Sequence, residues 1–236
     1  MITTDVSWCG TDYMQFFKDI ARRMLATPLG QVLRRWAGPA AMRFAIRYPN
    51  LFTLSWMCFI NQFLTSGRQV NIIVQALRRR GPCRLLIFGF GNDSPFYHEI
   101  NAGGCTVFLE DDPRWFNSIT AKYPQLEAHR ISYRTRRGEW RRYLENPNLY
   151  ATELPPDVSA TKWDIIFVDA PAGFTDDQPG RMDSIRLGAT LIEPQGDVFV
   201  HDCEREVERA CSTHFLKTGN LKEEVGNLRH YVISVT

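Results

Sequence analysis

Acidic side chains and one histidine stand directly after short apolar runs in this sequence. They are Glu110, Asp169 and the pair His201-Asp202. A carboxylate in such a position can accept hydrogen bonds from the hydroxyl groups of a ribose. A carboxylate or an imidazole can remove a proton from a reacting hydroxyl, and two carboxylates can hold a divalent cation. The sequence therefore predicts a site that binds a nucleoside and performs acid–base or metal chemistry.

A glycine-containing turn precedes these residues in the chain. The segment GFGNDS contains Gly89, Gly91, Asp93 and Ser94 and follows the apolar run RLLIF. Small residues after a strand allow the backbone to approach a ligand closely. A dinucleotide pyrophosphate requires a third glycine where Ser94 stands, so the turn favours S-adenosylmethionine, which has a ribose but no phosphate. Asp93 and Ser94 are also residue types that cap helices, and the sequence leaves both roles open.

The apolar runs before these residues are predicted to be strands of one sheet. They cover residues 84–88, 106–109, 164–168 and 197–200. Strands that alternate with helices predict an α/β fold with a mostly parallel sheet and helices on both faces. Because ligands bind beyond the carboxyl ends of parallel strands, we expect the polar residues there to face one crevice. The polar segment 132–162 is too irregular for its elements to be ordered from the sequence.

The amino-terminal part of the chain has a different pattern. Apolar residues recur at helical spacing in three segments, 13–36, 51–64 and 68–80. Gly81-Pro82 then breaks the chain. We therefore expect a helical extension over residues 1–80 and a cofactor-binding domain over residues 81–236. The extension could cover the acceptor pocket or mediate self-association into a homo-oligomer.

Charge is distributed unevenly along the chain. The formal net charge is +2, yet residues 1–84 contain 12 lysines and arginines against 3 acidic residues. The triplet Arg78–Arg80 and two arginine pairs could bind an anionic surface, and a solvated helix face explains them as well. No nucleic-acid motif accompanies these residues, so nucleic acid is not an expected partner.

Cysteine usage and hydrophobicity bear on the compartment. The 236 residues contain six cysteines without a CxxC pair, and 44% of the chain is hydrophobic. Such a chain can form a core without disulfides, and we expect reduced thiols in a cytoplasmic protein. The longest apolar stretch, 51–64, is too short and too polar to span a bilayer, and no secretory signal is visible. We therefore expect no transmembrane segment.

Six segments resemble the glucuronoxylan 4-O-methyltransferase family, which also contains the irregular-xylem-type proteins of polysaccharide biosynthesis. They are LLIFGFGNDS (85–94), GGCTVFLEDDPRW (103–115), WDIIFVDAPAGF (163–174), PGRM (179–182), DVFVHDCEREVE (197–208) and LRHY (228–231). The resemblance implies a Rossmann-like methyltransferase fold and transfer of a methyl group from S-adenosylmethionine to a sugar hydroxyl. Plant members also carry an amino-terminal membrane anchor and cysteines that have no counterpart within 116–162, and neither feature is visible here.

The resemblance and the expected strand ends together assign residues to the cofactor. The methionine end should be lined by the glycine turn, Gly89, Gly91, Asp93 and Ser94. Glu110 should bind the ribose, and Asp169 should also contribute to the cofactor site.

Four residues are expected to act on the acceptor: Asp169, Arg181, His201 and Asp202. In one mechanism, His201 or Asp169 takes the hydroxyl proton directly. In the other, Asp169 and Asp202 hold a divalent cation that lowers the pKa of the hydroxyl. Asp202 could instead cap the following helix, and His201 could be a buried histidine with satisfied hydrogen bonds. Arg181 suits the carboxylate of a uronic acid, although Asp183 or another loop acid could pair with it.

The sequence thus predicts an S-adenosylmethionine-dependent O-methyltransferase whose acceptor is a hydroxyl of a sugar, a uronic acid or a small molecule. Arg229 and His230 are further candidates for binding that acceptor. The alternative is a non-catalytic protein of polysaccharide biosynthesis that keeps the fold, because the resembling family includes members without an established transferase role. A dinucleotide oxidoreductase is disfavoured by Ser94.

Overall fold

The computed structural model describes Arg23, residues 27–61, Phe63 and residues 65–234. The chain groups into two compact units, which divide between Gly67 and Arg68. The predicted division into residues 1–80 and 81–236 stays a proposal, and most of the helix predicted over 13–36 lies outside the described residues.

Two helices form the described part of the amino-terminal unit. Helix α1 is Pro28–Arg47 and helix α2 is Leu51–Asn61, and the two pack against each other. Thr27 begins α1, because its hydroxyl accepts a hydrogen bond from the amide of Gly30 at 3.1 Å. Within the described ranges of the whole chain, no helix combines the length and the apolar character needed to cross a bilayer.

A seven-stranded sheet forms the centre of the second unit, in the order β3-β2-β1-β4-β5-β7-β6. The strands are β1 Arg84–Phe88, β2 Cys105–Glu110, β3 Glu127–Arg130, β4 Trp163–Val168, β5 Ile192–Val200, β6 Leu221–Val225 and β7 Leu228–Val232. Strands β1 to β5 are parallel, and β7 is antiparallel to both β5 and β6. This confirms the predicted α/β fold with a mostly parallel, Rossmann-like sheet.

Helices connect and cover these strands. They are α3 Gly67–Arg80, α4 Ser94–Ile100, α5 Pro113–Lys122, α6 Trp140–Glu145, α7 Pro156–Ala160, α8 Met182–Leu191 and α9 Glu206–Leu216. Short 3₁₀ turns lie at Arg137–Glu139, Pro147–Tyr150 and Thr218–Asn220. The last four residues of β1 and of β4 are all buried, as expected for strands covered on both faces.

A buried charge cluster joins the end of α3 to the sheet. Asp197 is fully buried, and its carboxylate accepts hydrogen bonds from Arg79 at 2.7 Å, Arg80 at 2.6 Å and His230 at 2.7 Å. Burial opposes ionisation of Asp197, but the hydrogen bonds from His230 and Arg80 outweigh it and lower its pKa to about 2. Arg78 and Arg79 are exposed, as expected for a solvated helix face, but Arg79 and the less exposed Arg80 also hold α3 against β5 through Asp197.

Candidate functional site

The predicted site residues lie at the carboxyl ends of four strands that are neighbours in the sheet. The order β2-β1-β4-β5 brings Glu110, the glycine turn, Asp169 and His201-Asp202 to one edge. Because these strands are parallel, their carboxyl ends share the crevice where open α/β sheets bind ligands.

The glycine turn after β1 is fixed by local hydrogen bonds. Gly89 has a φ of +125°, a backbone conformation that side chains other than hydrogen disfavour. The amide of Gly91 donates to the Ser94 hydroxyl at 2.9 Å, and Ser94 is buried. Asp93 occupies the cap position of α4, but its side chain makes no capping hydrogen bond. Ser94 therefore closes the turn, and the capping role that the sequence left open for Asp93 is wrong.

Asp93 is a partly buried carboxyl group at this edge of the sheet. Burial and the nearby charge of Asp169 raise the pKa of Asp93 to about 7, and the His201 charge opposes this shift. The group is therefore about half ionised at neutral pH, and a cationic ligand beside it would favour the carboxylate.

Glu110 is held across the glycine turn by backbone amides. Its Oε2 accepts from Phe90 at 3.1 Å, and its Oε1 accepts from Asp111 at 3.0 Å and from Asp112 at 2.9 Å. Burial raises the pKa of Glu110, and these amides oppose the rise by favouring the charged form. Since a carboxylate has about four acceptor positions, Oε2 retains room for a ligand hydroxyl.

Asp169, Arg181, His201 and Asp202 form one cluster after β4 and β5, as the sequence predicted for residues at adjacent strand ends. His201 Nδ1 lies 3.0 Å from Asp169 Oδ1 and 3.1 Å from Asp202 Oδ1. Arg181 Nη2 bridges the same two carboxylates, 3.1 Å from Asp169 and 2.8 Å from Asp202. The alternative that Arg181 pairs with an acid of this chain is therefore confirmed, although its partners are Asp169 and Asp202, and Asp183 pairs with Arg186.

The imidazole of His201 is oriented by the carboxylates and has one free nitrogen. Nδ1 faces Asp169 and Asp202, whereas the buried Nε2 has no hydrogen-bond partner in the part of the chain that is described. Burial disfavours the charged ring, but the hydrogen bonds to the two carboxylates outweigh it and raise the pKa of His201 to about 9. The alternative of a buried histidine with satisfied hydrogen bonds is therefore wrong, because Nε2 is buried and unpaired among the described residues.

Asp202 contacts several charged side chains and does not cap a helix. Its Oδ2 also lies 3.0 Å from Arg205 Nη2, and its Oδ1 accepts from Asn227 at 3.2 Å. Burial would raise its pKa, but the hydrogen bond from His201 and the charge of Arg181 lower it to about 2. Asp202 has a φ of +61°, and the cap position of α9 belongs to Arg205. The predicted capping alternative for Asp202 is wrong.

The cluster brings together atoms that could bind a metal ion, but other side chains already pair with them. The ligand atoms of Asp169, His201 and Asp202 lie within 4.8 Å of one another, and such a donor set suits a transition metal. The Arg181 guanidinium, however, already bridges the two carboxylates, and His201 directs a proton-bearing Nδ1 at them. As arranged, Arg181 and His201 occupy the oxygens that a cation would need, and the metal role of Asp169 and Asp202 stays a prediction.

Sequence reasoning missed two charged residues beside the cluster. Arg205 pairs with Asp202 and lies over the Phe174 ring at 4.5 Å. Glu208 on α9 is fully buried, and neither of its carboxylate oxygens has a partner among the described residues. Burial raises the pKa of Glu208. Both residues lie in the segment DVFVHDCEREVE, three and six residues after Asp202, and this closeness in the sequence was the available signal.

The two further candidates in LRHY lie elsewhere. His230 is bound to Asp197, and Arg229 forms an ion pair with Glu224 on the neighbouring strand. Neither residue joins the cluster at Asp169.

Similarity to known proteins covers most of the chain. Residues 68–148 and 141–231 match the model of the IRX15/IRX15L/GXM family. The chain is 36% identical over 185 residues to glucuronoxylan 4-O-methyltransferase 3 of Arabidopsis thaliana, covering 70% of this chain and 62% of that protein. It is 33% identical over 222 residues to arabinogalactan O-methyltransferase 2 of the same plant, covering 84% of this chain and 74% of that protein.

Solved structures of methyltransferases resemble the chain at lower identity. The N-methyltransferase NodS of Bradyrhizobium japonicum shares 13% identity at a TM-score of 0.44, over 71% of this chain and 95% of that chain. Homologues in the matched family include O-methyltransferases of polysaccharides. On the family model and the identity to its members, the protein belongs to the IRX15/IRX15L/GXM family.

Proposed function

We propose that this protein transfers a methyl group from S-adenosylmethionine to a hydroxyl group of a polysaccharide. The observation that carries the proposal is the position of the Glu110 carboxylate at the carboxyl end of β2. It is held by the Phe90 amide of the glycine turn and by the amides of Asp111 and Asp112. The polysaccharide class is suggested by the relatives, whose names specify glucuronoxylan and arabinogalactan.

The residues at the glycine turn fit S-adenosylmethionine. When bound, S-adenosylmethionine would supply a methyl group on a positively charged sulfur. Glu110 offers an acceptor oxygen for a ribose hydroxyl, and Asp93 offers a carboxylate for the cationic methionine end. A Cβ on Gly91 would lie 2.8 Å from Asp93 Oδ1 and would clash with it. Glycine at position 91 therefore allows the Asp93 carboxylate to stay where it is. Asp169 follows β4, the strand next to β1, and adds a further carboxylate to this side of the cofactor site.

Within the cluster, we propose that His201 Nε2 accepts the proton of the acceptor hydroxyl. Asp169 and Asp202 hold Nδ1 and thereby orient Nε2, the same division of labour as in other carboxylate–histidine pairs. At neutral pH the ring is mostly protonated because its pKa is about 9, so the neutral, accepting form increases with pH. Asp169 is the second candidate, since its contacts with Arg181 and His201 are both made by Oδ1.

Arg181 balances the charge of Asp169 and Asp202, and two of its nitrogens are still free. Nε and Nη1 are buried without a hydrogen-bond partner in the described part of the chain. These donors could bind a carboxylate of the acceptor. The more specific proposal is therefore that the acceptor sugar is a uronic acid.

Calorimetric titration with S-adenosylmethionine and with S-adenosylhomocysteine tests the cofactor. We expect micromolar binding that Glu110→Ala abolishes, because the substitution removes the acceptor for the ribose. Glu153→Ala is the matched control, since that side chain is 91% exposed. Absence of binding in the folded native protein would refute the proposed function.

Transfer is tested with glucuronoxylan and arabinogalactan as acceptors and methylation detected by mass spectrometry. A new methyl ether on the glycan supports the enzyme. Cofactor binding without transfer to these glycans or to small phenols and sugars would instead favour the non-catalytic alternative, which the family keeps open because its model also describes IRX15 proteins.

A further inference from the structure

Large apolar side chains are exposed along one side of helix α1. Leu29, Val32, Trp36 and Phe44 follow one another at intervals of three, four and eight residues, and Tyr48 comes one turn later. Such intervals place side chains on one face of an α-helix. Trp36 is 78% exposed, so this face leaves its largest side chain without cover.

Helix α2 presents a similar face. Phe52, Trp56 and Phe59 are exposed at intervals of four and three residues. The ring of Phe44 lies 6.2 Å from that of Trp56 and 5.2 Å from that of Tyr48, so the two faces are continuous. We call this surface the aromatic face, defined by Trp36, Phe44, Tyr48, Phe52, Trp56 and Phe59. Contiguous exposed aromatic surface of this kind marks an interaction site.

The charge around the aromatic face has one sign. Residues 27–61 contain four arginines and no lysine, aspartate or glutamate. Arg35, Arg43 and Arg47 are exposed, and none of them has an acidic partner among the described residues. Arg47 lies over the ring of Tyr48 at 5.8 Å. A partner for this surface must therefore offer negative charge beside apolar contact.

We propose that the aromatic face binds the surface of an anionic phospholipid bilayer. Tryptophan and tyrosine rings suit the boundary between headgroups and acyl chains, and arginines reach the phosphates while their stems stay in apolar contact. Both helices present their exposed faces on the same surface, so they can lie in the interface without crossing the bilayer. A second copy of this chain is the poorer partner, because a symmetric dimer would oppose arginines to arginines.

Vesicle sedimentation of the full chain tests the proposal. We expect the protein to sediment with vesicles of phosphatidylcholine and phosphatidylglycerol, and to remain in solution with vesicles of phosphatidylcholine alone. The double variant Trp36→Ser/Phe52→Ser should bind at least about tenfold more weakly, because it removes apolar contact. Trp115→Ser, an exposed aromatic substitution in the other unit, is the matched control.

A second variant tests the electrostatic part of the proposal. Arg35→Gln/Arg43→Gln should weaken binding about 25-fold, since one basic residue near an anionic surface is worth about fivefold. Arg134→Gln, also an exposed arginine, should leave binding unchanged. Binding that is independent of anionic lipid, or that both double variants retain, would overturn the proposal. A dimer in sedimentation velocity that Trp36→Ser/Phe52→Ser disrupts, with no vesicle binding, would assign the face to a second copy and overturn it as well.

Discussion

His201 should titrate near pH 9, and replacing Asp169 by asparagine should lower its pKa by more than about one unit. The native pKa of about 9 exceeds the ordinary value of 6.5 by about 2.5 units, which corresponds to about 3 kcal/mol in favour of the charged ring. Two carboxylates on Nδ1 supply this energy against the cost of burial. Removing the charge of Asp169 leaves Asp202 as the sole charged acceptor of Nδ1.

The direct assay is an NMR titration of the histidine Cε1 protons, with the His201 signal assigned by its loss in His201→Gln. Glu127→Gln is the matched control, because the exposed Glu127 lies 3.7 Å from the half-buried His129, and its removal should leave the pKa of His201 unchanged. A native midpoint below pH 7, or a midpoint that Asp169→Asn does not move, would refute the account of the cluster.

The same shift sets the pH dependence of methyl transfer if His201 Nε2 takes the proton. About one histidine in a hundred is neutral at pH 7 and about half are neutral at pH 9, so the rate should rise about 50-fold over that range. His201→Gln should lower the rate by about 10²- to 10⁴-fold, the usual worth of a general base. A rate that is flat between pH 7 and pH 9 would remove His201 from the proton transfer.

Three further outcomes follow from the contacts described above. Affinity for S-adenosylmethionine should rise with pH through about 7 as Asp93 ionises, and calorimetry of Asp93→Asn should show no such rise. Asp197→Asn should lower the free energy of unfolding in urea by about 3 kcal/mol, because two arginines and a histidine lose their buried counter-charge, while cofactor affinity stays unchanged. Gly89→Ala should cost about 1–3 kcal/mol through its φ of +125° and weaken cofactor binding, whereas Gly219→Ala, in open space, should do neither in the same urea and calorimetry measurements.

Much of the sheet could be predicted because its central strands are continuous apolar runs. Strands β1, β2 and β4 begin and end within one residue of the prediction, and the polar residues after them meet as parallel strand ends require. Strand β5 was predicted too short. It begins at Ile192, and Pro194, Gly196 and a positive φ at Gln195 hide its first half from any apolar pattern.

The contacts that depend on distant parts of the chain could not be predicted in the same way. Asn101 binds the backbone of both Cys83 and Cys105 and so joins the starts of β1 and β2, and no local pattern in the sequence indicates these contacts. Similarly, Arg79 and Arg80 read as a helix end suited to solvent, because their partner Asp197 is more than a hundred residues away. Charge pairing of this kind is settled by tertiary packing and leaves no periodic signal.

The two outer strands of the sheet have a consequence for behaviour at high concentration. β3 is four residues long and reads EAHR, and β6 reads LKEEV. An unpaired strand edge is a template for another chain, and charged residues on a short edge oppose such pairing. The central strands, by contrast, contain the uninterrupted runs LLIF in β1, VFL in β2, IIFV in β4 and VFV in β5, which are apolar segments of the type that forms intermolecular sheets. The charged borders therefore confine the aggregation-prone segments to the interior and keep the seven-stranded sheet from extending into a neighbouring molecule.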